Sequence, residues 1–94
     1  MRRYALSSAL FVFMERGEKL TWDAIWNDSY GPQNRYVIWP RAQYWDVRFK
    51  RVTNGKLEWE PIADKPFVSE NEAWQAAYAD WECKLEKLGW YSRY

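Results

Sequence analysis

From Trp74 to Leu88 apolar residues return every three or four positions: Trp74, Ala77, Tyr78, Trp81, Leu85 and Leu88, with Gln75, Asp80, Glu82, Lys84 and Glu86 between them. That spacing gathers the apolar set on one stripe of an α-helix and leaves the charges on its other faces. Ser69-Glu70-Asn71-Glu72 has the form of a capping box, in which the Ser69 hydroxyl accepts the Glu72 backbone N–H and the Glu72 carboxylate reaches back. Gly89 supplies a left-handed stop. The pattern predicts an amphipathic helix over residues 70–88, with Trp90 and Tyr91 folding back beyond it.

Upstream the period shortens to that of strands. Tyr36-Val37-Ile38-Trp39 is a short apolar run closed by Pro40, and Tyr44 to Val52 alternates, with Trp45, Val47 and Phe49 on one side and Tyr44, Asp46, Arg48 and Lys50 on the other. Asn54-Gly55 marks a hairpin. A two-residue loop pairs Thr53 with Lys56 and sets Phe49 opposite Glu60 and Lys50 opposite Trp59, which mixes polar with apolar on both faces. A three-residue loop, Thr53-Asn54-Gly55, pairs Val52 with Lys56 and sets Phe49 opposite Trp59, Lys50 opposite Glu58 and Arg48 opposite Glu60. Consistency of the faces selects the three-residue loop.

The first third is less regular. Leu6, Ala9, Leu10 and Phe13 fit a helix ending near Gly17, although Leu10-Phe11-Val12-Phe13 could equally be a strand pairing with Leu20 to Ile25; the helix is preferred. Thr21 can cap a second, short helix carrying Trp22, Ile25 and Trp26, and residues 28–34 form a loop by composition. The expected fold is a single α+β domain over residues 1–94, in the order α-β-β-β-α. A three-stranded antiparallel meander packs on the C-terminal helix through Trp45, Val47, Phe49, Leu57, Trp59, Trp74 and Trp81, and an N-terminal helical segment precedes it. The opposite sheet face, with Tyr44, Arg48 and Lys50, is either wet or covered by that segment.

Composition narrows the chemistry. The 94 residues include no His and one Cys, so an internal disulfide, a His-based nucleophilic dyad and an ordinary structural zinc site are excluded. Gly17, Gly31, Gly55 and Gly89 are isolated, which removes a glycine-rich phosphate loop. Cys83 follows Glu82 in an acidic helix, a setting that disfavours the thiolate. No catalytic activity and no cofactor are expected. Arg2 and Arg3 precede the apolar stretch Ala5 to Met14, but no small-x-small cleavage pattern follows and no window approaches a membrane span, so a cytoplasmic protein is expected.

Charge and aromaticity suggest a binding surface. Residues 1–56 hold ten Lys and Arg against five acids, whereas residues 57–94 hold four against eight, so the net charge of +1 conceals two sides of opposite sign. Aromatic residues make up 20% of the chain, with 8 Trp, 7 Tyr and 4 Phe, more than so small an interior can hide. Rings left at the surface, beside arginine, are the side chains that interfaces favour. The first candidate surface is a basic, aromatic sheet face of Arg35, Trp39, Arg41, Tyr44, Arg48, Lys50 and Arg51; the alternative is an acidic face of Glu58, Glu60, Glu70, Glu72 and Asp80.

With these residues on its sheet, the strand-strand-strand-helix portion looks like the plant AP2-type and phage-integrase arm-binding domains, in which a three-stranded sheet backed by one helix contacts DNA. The full element order also resembles the double-stranded RNA-binding domain. That family begins its last helix with a lysine cluster where this chain has Glu70 and Glu72, which would set phosphate against acid. In general character, though by no motif, the chain is similar to small phage-encoded accessory proteins, including anti-CRISPR proteins. The likeness implies an inhibitor that occupies a nucleic-acid-binding surface on a host complex. The expected function is thus a non-catalytic protein-binding module, with a sheet-based DNA-binding protein as the alternative. Its partner is a protein, a host nucleoprotein complex among the candidates, and neither a membrane partner nor a cofactor is expected; self-association as a homodimer is left open.

Overall fold

The computed structural model describes residues 1–6, 8–27, 29, 32 and 34–88, with only the backbone of Leu88. The expected Gly89 stop, the fold-back of Trp90 and Tyr91, and most of the 28–34 loop lie outside the described residues. Five strands and two helices follow one another as β1 (Arg2–Leu6), β2 (Ala9–Phe13), α1 (Trp22–Trp26), β3 (Arg35–Pro40), β4 (Trp45–Thr53), β5 (Lys56–Pro61) and α2 (Glu70–Leu88). The strands form one mixed sheet in the order β1-β2-β3-β4-β5, antiparallel throughout except for the parallel pair β2–β3. The α+β class holds, but the three-stranded meander with a leading helix does not.

The N-terminal helix is replaced by a hairpin, and burial explains why. Ala9, Leu10, Phe11 and Val12 are all buried, because β2 lies between β1 and β3 and both of its faces are covered. A strand buried on two faces loses the apolar–polar alternation and reads as a continuous apolar run. The helical spacing of Leu6, Ala9, Leu10 and Phe13 was incidental to that run. Its partners are also different from the strand alternative, since β2 pairs with β1 and β3 rather than with residues 20–25.

The second correction concerns the β4–β5 register. Thr53 pairs with Lys56, Phe49 with Glu60 and Lys50 with Trp59, so the loop has two residues. Asn54 and Gly55 both have positive φ, 52° and 78°, the backbone that a tight hairpin turn matched to strand twist requires. The three-residue loop rested on the premise that only one sheet face is covered. Both are, so Lys50 and Trp59 can share a face without penalty.

On one face α2 packs against Phe11, Tyr36, Ile38 and Val47 through Ala73, Ala77, Trp81 and Leu85. The helix starts where expected: Ser69 Oγ accepts the Glu72 N–H at 3.1 Å. Small residues at 73 and 77 admit the sheet closely, and Trp74 and Trp81 fill the space on either side. Trp74 meets Phe11 edge-on at 4.9 Å and Tyr4 at 5.5 Å, while Trp81, fully buried, lies 6.2 Å from Tyr36 and 6.1 Å from Phe49. Truncating a buried tryptophan of this kind typically costs about 3–5 kcal/mol. Leu57 and Trp59, expected on this face, alternate onto the other one because of the register.

The second face carries Leu10, Val12, Met14 and Val37, flanked by Leu20, Trp39 and Trp59. The stretch between β2 and β3 crosses it. Within that stretch Thr21 caps α1 by accepting the Ala24 N–H at 3.2 Å, as its place in the sequence suggests, and buries Ala24.

Candidate protein-binding face

A one-turn helix cannot satisfy its own terminal carbonyls, and a side chain of the sheet does so here. Arg35, fully buried at the start of β3, donates from Nε to the Pro32 carbonyl at 3.1 Å and from its two terminal nitrogens to the carbonyls of Asp23 at 3.3 Å, Asn27 at 2.7 Å and Ala24. Lys50 does the same from β4: it is 7% exposed, donates to the Ile25 carbonyl at 2.7 Å and lies 4.2 Å from the centroid of the Trp26 ring. With Asn34 and Val52, Trp26 and Lys50 line an open groove of about 490 Å³. Two of the seven residues of the basic face therefore hold the covering segment in place.

Four of the other five, Trp39, Arg41, Tyr44 and Arg48, lie where that cover gives out. Trp39 of β3 and Trp59 of β5 meet edge to face, centroids 6.0 Å apart, although β4 runs between their strands. The Arg41 guanidinium stacks 5.3 Å from the Trp39 ring and also pairs with Asp46 at 3.2 Å. Arg48 approaches the same carboxylate oxygen at 3.0 Å. Two guanidinium groups thus share one carboxylate, leaving a net positive charge beside two indoles. Beyond Arg48 an open groove of about 390 Å³ is lined by Tyr44, Asp46, Arg48, Pro61 and residues 63–66, and Tyr44 remains 42% exposed. Arg51 stands on the α2 side of the sheet, paired with Glu60 at 3.0 Å, and is not part of this cluster.

The acidic set is dispersed. Glu58 and Glu60 lie on β5 at one sheet edge, whereas Glu70 pairs with Arg2 of β1, at the opposite edge, at 2.5 Å. Asp80 accepts the Tyr36 hydroxyl at 2.6 Å and the Lys84 ammonium at 2.5 Å, with that ammonium 4.7 Å from the Phe49 ring centroid. Burial, reinforced by the Asp80 carboxylate, pushes the Tyr36 hydroxyl far above its ordinary pKa. Glu72 is exposed in the first turn of α2. Beside the Met1 amine, which Glu18 meets at 3.1 Å, the Glu15 backbone N–H, donating to the Glu18 carboxylate, holds Glu18 below its ordinary value.

Sequence reasoning placed Trp59 in the core and gave Asp46 no role. The signal for Trp59 was the two-residue register, which sets it across from Lys50 and on the face of Arg48; that for Asp46 was its place two residues before Arg48 on the same strand face. Of the described aromatic side chains, Phe11, Tyr36 and Trp81 are fully buried, while Tyr4, Trp22 and Tyr44 are exposed. The surplus of rings does reach the surface. Among the described residues, no cluster of three or more Cys, Asp or Glu is arranged to hold a metal, and no helix is long and apolar enough to cross a membrane. Comparison with protein-family models, with curated proteins and with solved structures returns no match for this chain.

Proposed function

We propose that the protein is a non-catalytic binding module that docks a protein partner on the uncovered part of its sheet, using Trp39, Arg41, Tyr44, Arg48 and Trp59. The observation that carries this reading is the edge-to-face Trp39–Trp59 pair rimmed by two guanidinium groups on one carboxylate. Tryptophan, tyrosine and arginine are the side chains whose removal costs interfaces most. Their joint charge favours a partner segment that brings a carboxylate next to an apolar side chain. The general likeness to phage accessory proteins makes a host nucleoprotein complex the first partner to try.

The DNA-binding alternative draws little support from the same geometry. Arg35 and Lys50 are buried, Arg41 and Arg48 share an acidic neighbour, and Arg51 stands on the opposite face paired with Glu60, so few cations on this face are offered to phosphate. The test is capture from a host lysate with the wild type, Arg48→Glu and Glu72→Lys in parallel. A partner lost by the Arg48 variant and kept by the Glu72 variant supports the sheet face; the reverse pattern moves the site to the acidic set. Duplex binding that falls steeply between low and moderate salt, and disappears in Arg48→Glu, would replace this reading with the DNA-binding one.

A further inference from the structure

We propose that a second copy of the chain pairs with the outer edge of β5, antiparallel and about a two-fold axis through Glu58, to form a dimer with a continuous ten-stranded sheet. The argument starts from hydrogen-bonding direction. In an antiparallel ladder alternate residues turn both backbone groups toward the partner strand. The Ile62 N–H donates to the Val47 carbonyl, and the same register pairs Phe49 with Glu60, Arg51 with Glu58 and Thr53 with Lys56. Glu60, Glu58 and Lys56 therefore spend their backbone groups on β4. Leu57 and Trp59 turn theirs outward, and β5 is the last strand of the sheet.

The side chains select one self-pairing. An antiparallel copy can use the outward groups of Leu57 and Trp59 in three nearby registers. Centred on Trp59, it sets Glu58 against Glu60 twice, an opposition of like charges on strand neighbours. Centred on Leu57, it leaves Trp59 opposite the turn residue Gly55. Centred on Glu58, it sets Leu57 opposite Trp59 of the second copy on one face and Lys56 opposite Glu60 on the other, each occurring twice. Only the central Glu58 meets its own kind, and Arg51, its cross-strand neighbour on β4, flanks it in both copies. Neighbouring Val52, 46% exposed and paired with Leu57, continues the apolar row. A two-fold contact also closes on itself, the commonest arrangement of identical chains. This contact shares Trp59 with the docking face but otherwise runs along the backbone edge of β5, and the charged residues that set its register, Lys56 and Glu60, lie on the α2 side of the sheet, away from the Trp39–Trp59 cluster.

Two charge reversals test the register. Lys56→Glu opposes acid to acid, and Glu60→Lys opposes base to base, at both ends of the contact. Sedimentation equilibrium from micromolar to millimolar protein should show a reversible monomer–dimer equilibrium for the wild type, weakened about tenfold or more in either variant. Mixed in equal amounts, the two variants should recover association, since at positions 56 and 60 every Glu then meets a Lys. Near-ultraviolet circular dichroism of each variant confirms that the tryptophan environments are intact. A wild type that stays monomeric over the whole range overturns the proposal. So do a dimer indifferent to both reversals, a mixture that fails to recover, and an open-ended polymer, which would mean that β5 pairs with a different edge.

Discussion

If Arg35 exists to terminate α1, its replacement by methionine should be among the most destabilising single changes in the molecule. Methionine keeps much of the aliphatic stem but leaves the carbonyls of Ala24, Asn27 and Pro32 without the guanidinium donors that now reach them, and leaves Asp23 only the Asn27 N–H. Hydrogen bonds from a charged donor are worth about 1.5–3 kcal/mol each, and the cost of drying the guanidinium offsets much of their sum. Removing one side of such a buried arrangement typically costs about 3–5 kcal/mol. A domain of this length holds about 5–14 kcal/mol in all, so about a fifth or more of the stability should go, with a fall in Tm of roughly 12–40 °C. Urea unfolding followed by tryptophan fluorescence reads it directly: the midpoint should drop with little change in slope. Arg35→Lys should lie between, because one ammonium cannot span four carbonyls. A cation displayed to solvent for a partner would cost under about 0.5 kcal/mol to remove. A methionine variant within 1 kcal/mol of wild type would therefore refute the account of how α1 is held.

Three further outcomes follow from local geometry. Ser69→Ala removes the acceptor for the Glu72 N–H and should cost about 1 kcal/mol in urea unfolding. Gly55→Ala forces a side chain into a left-handed turn position, and although nothing crowds the new methyl group, the backbone alone should cost about 1 kcal/mol by the same measurement. Tyr36 bears on alkaline stability: its folded pKa is raised above the ordinary value of 10.0, first by burial and then by Asp80, so its contribution is present below pH 10 and is lost as pH rises beyond it. Absorbance at 295 nm should show one tyrosine that ionises only together with unfolding, and Tyr36→Phe should remove that step.

How much of this could be read from the chain depended on whether an element faces water. The last helix was legible because one side of it is wet: Glu72, Gln75 and Glu86 interrupt the apolar stripe and Ser69 marks its beginning. Thr21 announced α1 in the same way. Strand β2 was not legible, since Leu10 and Val12 bury one face while Phe11 buries the other, and no polar residue was left to reveal the period. The hairpin failed for a related reason. Asn54-Gly55 pointed to a two-residue loop, but a lysine opposite a tryptophan looked like an error until the covering segment put Lys50 against Trp26 and the Ile25 carbonyl. For the candidate face, the sequence supplied the right residue types and could not sort them. Arg35 and Arg48 are the same side chain on neighbouring strands, and only the path of residues 15–27 decides which is sealed in.

The parallel contact between β2 and β3 sets the order in which the molecule can assemble. Arg2–Phe13 and Arg35–Pro61 each contain their own turns and can zip locally, yet the two halves meet only along one line, after the intervening chain has looped back over the sheet. Closing that long loop should limit the folding rate, because its entropy is spent before any bond along the line repays it. The centre of the finished sheet, its best-protected region, would then be the last part of it to form.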